Sequence, residues 1–131
     1  QEMNVAMGGS LHQKIHRVPD MMDHREDSTL DLDGQYGFAH KISITPHGIL
    51  DQISDDKKPW VNSVHWQGIN QLGNGLTVEA TSQDGLVESF SVTDSPSFAL
   101  AVQWHPEWKV MKTPFYKSIF EKFGDACITH G

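Results

Sequence analysis

The chain has 131 residues, of which 37% are hydrophobic and 21% are charged, and it contains four Trp and six Phe. This size and composition predict one soluble globular domain over residues 1–131, and they exclude a disordered or fibrous chain. A net charge of −7 opposes contact with phosphate backbones, so nucleic acid is excluded as a partner.

The longest apolar runs fall far short of the roughly 18 residues needed to cross a bilayer, so no membrane contact is expected. The single cysteine, Cys127, excludes a disulfide within the chain and fits a reducing compartment. These features predict a cytoplasmic protein. The chain begins at Gln1 in the middle of a predicted helix, which indicates a fragment of a longer protein.

The first part of the chain predicts a helix end, two strands and a long loop. Apolar residues within 1–7 followed by Gly8-Gly9 predict the end of a helix. A short strand is predicted over 11–18, and the acidic stretch 19–37 has no clear period and predicts a loop. Alternation with period two predicts a strand over 38–44.

The second part predicts a mostly β structure that is closed by a helix. The predicted elements are a helical turn over 49–53, strands over 60–64, 76–81, 86–92 and 98–103, and an amphipathic helix over 115–127. Asp84-Gly85 lies between two alternating segments and is the strongest hairpin signal in the chain. Thr113 fits a cap of the last helix, and Pro114 fits its first turn.

An imidazole and a carboxylate stand two residues apart at the end of the last predicted strand, in the run Val102-Gln103-Trp104-His105-Pro106-Glu107-Trp108. Side chains at i and i+2 of an extended segment point the same way, so His105 and Glu107 are predicted to lie side by side. A carboxylate beside an imidazole fixes its tautomer and stabilises its charged form, as a general base requires. The pair is therefore the candidate for two members of a catalytic triad.

Several stretches match one family pattern in chain order: residues 1–6, 8–13, 23–25, 61–68, 84–88 and 102–108. In these stretches the sequence resembles the class I glutamine amidotransferase-like hydrolases, and most closely the γ-glutamyl-γ-aminobutyrate hydrolases. Agreement in one motif arises easily by chance, whereas collinear agreement along a chain does not.

The resemblance implies the C-terminal part of a flavodoxin-like, doubly wound α/β fold with a Cys-His-Glu triad that hydrolyses γ-glutamyl amides. It implies His105 as the base and Glu107 as its orienting acid. The nucleophilic cysteine of the family lies a few residues before the position that Gln1 matches, so it is absent from this sequence. The expected partners are the N-terminal half of the same enzyme, which supplies that cysteine, and a small γ-glutamyl substrate.

Without that half the strands would expose apolar faces, so the chain is expected to associate with it or with a second copy as a homo-oligomer. The 131-residue chain alone is expected to be inactive. Cys127 is not expected to replace the nucleophile, because nothing nearby in the sequence would lower the pKa of its thiol.

The resemblance also implies substrate contacts. Gln1 would help to hold the glutamyl group, and the alternative is an ordinary helix residue. His65 with Gln67 would line the pocket, and the alternative for His65 is a structural histidine. Trp108 would wall the pocket, and the alternative is simple packing.

No cofactor or metal is expected. His12, His16 and His24 lie in a predicted strand or loop, and they lack the spacing and partners of a zinc motif. Asp84 is explained by turn chemistry, and neither Asp84 nor Glu88 is given a catalytic role. Two other functions stay open: a truncated, non-catalytic interaction module, and a glutaminase that passes ammonia to a synthetase.

Overall fold

The computed structural model describes residues 1–130, in which short helices and strands alternate. The helices are α1 (Glu2–Ala6), α2 (Leu32–Gln35), α3 (Ile49–Ile53) and α4 (Pro114–His130), with 3-10 turns at Ile15–Arg17 and Val110–Lys112. The strands are β1 (Ser10–His12), β2 (His40–Ile44), β3 (Trp60–Val61), β4 (Gly68–Gln71), β5 (Leu76–Ser82), β6 (Val87–Val92) and β7 (Leu100–Val102). No helix within residues 1–130 has the length and apolar character needed to span a membrane.

Five strands form the main sheet in the order β3-β2-β5-β6-β7, and every pair in it is antiparallel. The predicted hairpin is confirmed as β5–β6. Its turn uses Gly85 with φ of +87°, a conformation that glycine adopts without steric cost. Asp84 Oδ1 accepts a hydrogen bond from the Leu86 amide at 3.1 Å, which closes the turn as an aspartate commonly does.

The core lies between this sheet and the two helices α3 and α4. Strand β2 alternates strictly, with His40, Ile42 and Ile44 buried and the residues between them exposed. The main cluster consists of Ile42, Ile44, Leu50, Val61, Ala80, Trp104, Tyr116 and Ile119. The helices predicted over 49–53 and 115–127 are confirmed, and α4 runs to His130. Part of the apolar face of α4 stays open, because Phe120 and Phe123 are exposed.

A two-stranded antiparallel sheet, β1–β4, lies beside α1. The buried Asn4 side chain joins these parts: its Nδ2 donates to the carbonyls of Ser10 and Gln71, and its Oδ1 accepts from the Gly73 amide. The predicted helix end over 1–7 is confirmed. The strand predicted over 11–18 is wrong beyond His12, because the chain turns there so that Ile15 becomes fully buried.

The sheet curls, so its two edges meet. Strands β3 and β7 are the opposite edges of the sheet, yet Asn62 directly after β3 is hydrogen-bonded to His105 shortly after β7. Both strands are shorter than the predicted 60–64 and 98–103, and β7 is half-buried where a buried strand was expected. This closure sets the position of the candidate site.

The segment 19–37 is a loop as predicted, apart from the single turn α2. Asp31 caps that turn, since its Oδ1 accepts from the Gly34 amide at 2.9 Å. The loop carries Tyr36 towards the end of β7, where its ring contacts the ring of His105.

Candidate active site

The His105 and Glu107 side chains lie side by side on the turn that follows β7. His105 Nδ1 is 2.7 Å from Glu107 Oε1. An ionised carboxylate can only accept, so Nδ1 carries the hydrogen and a neutral ring keeps its lone pair on Nε2. The two side chains are 42% and 60% exposed. The ring is therefore oriented by the acid and remains accessible to a reacting group.

Asn62 fixes the backbone of His105. Its Nδ2 donates to the His105 carbonyl at 2.9 Å, and its Oδ1 accepts from the His105 amide at 2.7 Å. The amide of Asn62 in turn donates to the hydroxyl of the buried Tyr116 at 3.0 Å. Burial, with a smaller contribution from the charge of Glu107, raises the pKa of Tyr116 to about 12, so this hydroxyl stays neutral. Asn62 lies in a matched stretch, but its spacing gave no sign of this role.

Aromatic side chains wall the space next to His105. Tyr36 stacks on Trp108 with ring centroids 4.9 Å apart, and its edge meets the His105 ring at 5.5 Å. Tyr36, Trp108 and Phe38 line one open cavity together with Lys109. Trp108 lines this cavity, and its role as a wall of the substrate pocket stays a prediction. Tyr36 was missed, because it lies in a loop without periodicity.

Gln1 and Gln67 are joined to each other beside the end of β7. Gln1 Nε2 donates to Gln103 Oε1 at 3.1 Å and to the Gln67 carbonyl at 3.3 Å. The Gln67 side chain donates to Gln13 Oε1 at 2.6 Å. Gln103 stands two residues before His105, so this network borders the candidate site. The substrate contacts of Gln1 and Gln67 stay predictions.

The structure places His65 in the interior, and His65 does not line the cavity walled by Tyr36 and Trp108. Its ring stacks on that of His24 with centroids 4.9 Å apart, and its Nδ1 donates to the Gln67 carbonyl at 2.7 Å. His24, His40, His65 and Glu88 form what we call the buried histidine cluster. A pocket role for His65 stays a prediction, and this geometry favours the structural alternative.

Asp84 does more than form a turn. Its Oδ2 accepts from His24 Nε2 at 2.7 Å and from the Met22 amide at 2.9 Å. Burial alone raises the pKa of Asp84, but the hydrogen bonds from Ser82, His24 and two backbone amides outweigh burial and lower this pKa to about 2. The carboxylate is therefore charged at neutral pH. The explanation by turn chemistry alone is incomplete, because sequence spacing does not bring His24 to this turn.

Fold and site together define the class. A solved structure with the same fold is that of a GMP synthase component from Thermoplasma acidophilum, with a TM-score of 0.69 and 20% identity over 98% of this chain and 53% of that one. The predicted α/β class I glutamine amidotransferase-like fold is thereby confirmed. The chain belongs to the peptidase C26 family, whose model matches residues 1–107 and so includes His105 and Glu107.

Two relatives illustrate the range of the family. The chain is 44% identical over 131 residues to γ-glutamyl-γ-aminobutyrate hydrolase PuuD of Escherichia coli strain K12, covering 99% of this chain and 51% of that protein. It is 36% identical over 128 residues to the glutamine amidotransferase-like protein YvdE of Lactococcus lactis, covering 98% and 51%. The chain therefore spans about half the length of the curated relatives it matches.

Proposed function

We propose that the protein containing this chain hydrolyses γ-glutamyl amides, with His105 as general base and Glu107 as the acid that orients it. The observation that carries the proposal is the 2.7 Å contact between His105 Nδ1 and Glu107 Oε1 on an accessible turn. The name of the Escherichia coli relative, which is 44% identical, supports γ-glutamyl-γ-aminobutyrate as the first substrate to test.

The proposed reaction needs a thiol, which a preceding segment of the protein supplies. His105 Nε2 takes the proton of that thiol, and the thiolate attacks the γ-glutamyl carbonyl. The tetrahedral intermediate collapses as His105 returns the proton to the leaving amine, which leaves a thioester. Water then attacks the thioester, with His105 again taking a proton, and releases glutamate and the free thiol.

Exposed apolar side chains on α1 support the partner part of this proposal. Met3 is 42% exposed and Val5 is 51% exposed on the helix that follows the expected nucleophile. We propose that the N-terminal half of the enzyme, or a second copy of the chain, covers this face. A catalytic thiol also has to stay reduced, which fits the cytoplasm as its location.

The test is a hydrolysis assay on the full-length protein with γ-glutamyl-γ-aminobutyrate. We expect release of glutamate, and we expect His105→Gln to lower kcat by at least about 10³-fold while the melting temperature is unchanged. Cys127→Ser is the matched control and should keep full activity, because Cys127 is an exposed residue of α4. The 131-residue chain alone should show no turnover. Turnover by that chain which His105→Gln abolishes would overturn the thiol part of the proposal.

A glutaminase that feeds a synthetase is the second candidate, since one relative is named as amidotransferase-like. The same assay separates the two functions. A hydrolase cleaves γ-glutamyl-γ-aminobutyrate far faster than glutamine, whereas a glutaminase releases ammonia from glutamine and prefers it. A folded full-length protein that cleaves neither compound would favour a non-catalytic interaction module.

A further inference from the structure

The buried histidine cluster joins four distant parts of the chain. His24 comes from the loop over 19–37, His40 from β2, His65 from the segment after β3, and Glu88 from β6. All four side chains are at most 5% exposed. Burying this many ionisable groups is costly unless each one is paired, so the pairing of every nitrogen and oxygen matters.

In each of the three histidine rings, the nitrogen that points away from Glu88, here called the outer nitrogen, is a hydrogen-bond donor. Each one donates to an oxygen that can only accept: His24 Nε2 to Asp84 Oδ2 at 2.7 Å, His40 Nδ1 to the Lys41 carbonyl at 3.1 Å, and His65 Nδ1 to the Gln67 carbonyl at 2.7 Å. The hydrogen of each neutral ring must therefore lie on the outer nitrogen. The lone pair is left on the inner nitrogen of all three rings.

The three inner nitrogens converge on one carboxylate oxygen. Glu88 Oε1 lies 3.4 Å from His24 Nδ1, 3.6 Å from His40 Nε2 and 3.7 Å from His65 Nε2. Among the described residues, the last two nitrogens and Glu88 Oε1 have no hydrogen-bond partner. With neutral rings, this arrangement brings four acceptors together with no donor between them.

The hydroxyl of Ser63 lies nearby, but it does not donate a hydrogen bond to these acceptors. Ser63 Oγ lies 3.4 Å from His24 Nδ1, but it is only 2.7 Å from the His24 carbonyl. A hydroxyl has one hydrogen, and the shorter contact shows that it goes to the carbonyl. The His24 lone pair therefore still faces Glu88.

Neither a proton nor a water molecule placed among these four acceptor atoms accounts for the distances between them. A protonated ring would form a charge-assisted hydrogen bond to the carboxylate of about 2.7–2.9 Å, and a single proton would serve only one of the contacts. A water has two hydrogens for four acceptors. Ligand atoms around a tetrahedral Zn²⁺, with bonds of about 2.0–2.2 Å, stand about 3.3–3.6 Å apart, which is close to the 3.4 Å and 3.6 Å that separate Glu88 Oε1 from His24 Nδ1 and His40 Nε2.

We propose that His24, His40 and Glu88 bind a zinc-type divalent cation, beside which His65 packs by stacking on the ring of His24. The ligand atoms of the first three already lie within 4.8 Å of one another. Three protein ligands leave one position of a tetrahedral site for a water molecule or another small ligand. Asp84 and the Lys41 carbonyl are the outer partners that orient the two metal-bound imidazoles.

The proposal departs from the expectation that the chain holds no metal. The spacing of His12, His16 and His24 along the chain matches no zinc motif, whereas the fold combines His24 with residues that lie far from it in sequence. The ion would join the loop that carries Tyr36 to the sheet. The site is independent of the proposed hydrolase activity.

The test measures metal content and Co²⁺ spectra on the full-length protein. After metal-free preparation and addition of Zn²⁺, we expect one equivalent to remain through gel filtration. The Co²⁺ form should show the strong visible bands of tetrahedral coordination. A background in which all cysteines are replaced by serine should leave the bands intact and free of thiolate charge-transfer absorption, which excludes a sulfur ligand.

Variants identify the ligands. His40→Gln and Glu88→Gln should each weaken Zn²⁺ binding by at least about 100-fold, since even outer partners contribute 10–100-fold. His47→Gln is the matched control, because His47 is exposed and outside the cluster. If His40→Gln fails to fold, the Co²⁺ spectrum of the unmodified cluster still decides the matter. A folded protein that retains no Zn²⁺ and gives no tetrahedral Co²⁺ spectrum would overturn the proposal.

Discussion

The His105–Glu107 pair and the buried histidine cluster both combine imidazole with carboxylate, but they differ in origin and in exposure. The pair comes from one turn, is accessible, and leaves one imidazole nitrogen open. The cluster is assembled from four segments, is buried, and directs all its inner nitrogens at one oxygen. The same side chains thus favour proton transfer in one place and a fixed, buried site in the other.

The largest contrast is expected between two matched carboxylate variants of the full-length protein. Glu107→Gln should lower kcat by about 10³–10⁴-fold with an unchanged melting temperature, because it removes the acid that orients the base but no buried contact. Glu88→Gln should lower the melting temperature and Zn²⁺ binding. Steady-state kinetics and thermal unfolding of both variants check this. Equal effects of the two variants on both readouts would remove the distinction between the sites.

Asn62 joins the two edges of the curled sheet, so its variant should affect both activity and stability. Asn62→Ala leaves the His105 amide and carbonyl without partners, which should cost about 1–3 kcal/mol of unfolding free energy. We expect kcat to fall about 10–100-fold through loss of alignment. Urea unfolding and kinetics measure these effects, with Asn74→Ala as the exposed control. A stable Asn62→Ala protein with full activity would contradict this role.

The pH dependence of the unfolding free energy tests whether Asp84, through its hydrogen bond with His24, anchors the buried histidine cluster. The folded pKa of Asp84 is about 2, below its ordinary value of 3.8, so its stabilisation is present above about pH 4 and is lost as the pH falls towards 2. Asp84→Asn should remove about 1–2 kcal/mol at pH 6 and flatten the fall below pH 4. Urea unfolding of both proteins between pH 2 and about pH 6 measures this loss and this change in slope.

Asp23 supplies the matched control for that experiment. Its pKa is also lowered to about 2, mainly by a hydrogen bond from Arg25, but the pair is exposed. Solvent screens exposed pairs, so Asp23→Asn should change stability by less than about 1 kcal/mol. If both variants showed the same small change, the buried Asp84–His24 contact would not be a stability anchor.

The smallest effect is expected at the pocket wall. Trp108→Leu removes the stack on Tyr36, which is worth about 0.5–1.5 kcal/mol and corresponds to about a twofold to twelvefold rise in KM. The kcat should change less than KM, because His105 and Glu107 keep their contact. Trp60→Leu is the control, since Trp60 is an exposed tryptophan of β3, and comparing the kinetics of the two variants distinguishes loss of the pocket wall from loss of a surface tryptophan.

Features set by neighbouring residues were predictable from the sequence. The β5–β6 hairpin follows from alternation around Asp84-Gly85, and α4 follows from its helical apolar spacing. The adjacency of His105 and Glu107 follows from a two-residue separation. Each of these needs only local geometry, which the order of residues specifies directly.

Features set by the tertiary fold were not predictable. Strand β4 was missed because Ile69 is its one large apolar residue, and the strand predicted over 11–18 ends early because Ile15 turns into the core. The roles of Asn62 and Tyr36 depend on the curl of the sheet and on the path of a loop. In each of these regions, tertiary packing determines the structure, and the local sequence pattern does not.

The most direct test of the central claim, that His105 faces a thiol supplied from outside this chain, is the pH dependence of alkylation in the full-length protein. In a Cys127→Ser background, we predict that the remaining reactive cysteine is alkylated by iodoacetamide at a rate that stays high well below pH 8.5. His105→Gln should move the inflection up towards the ordinary thiol pKa of about 8.5. Identical profiles for the two proteins would contradict the account.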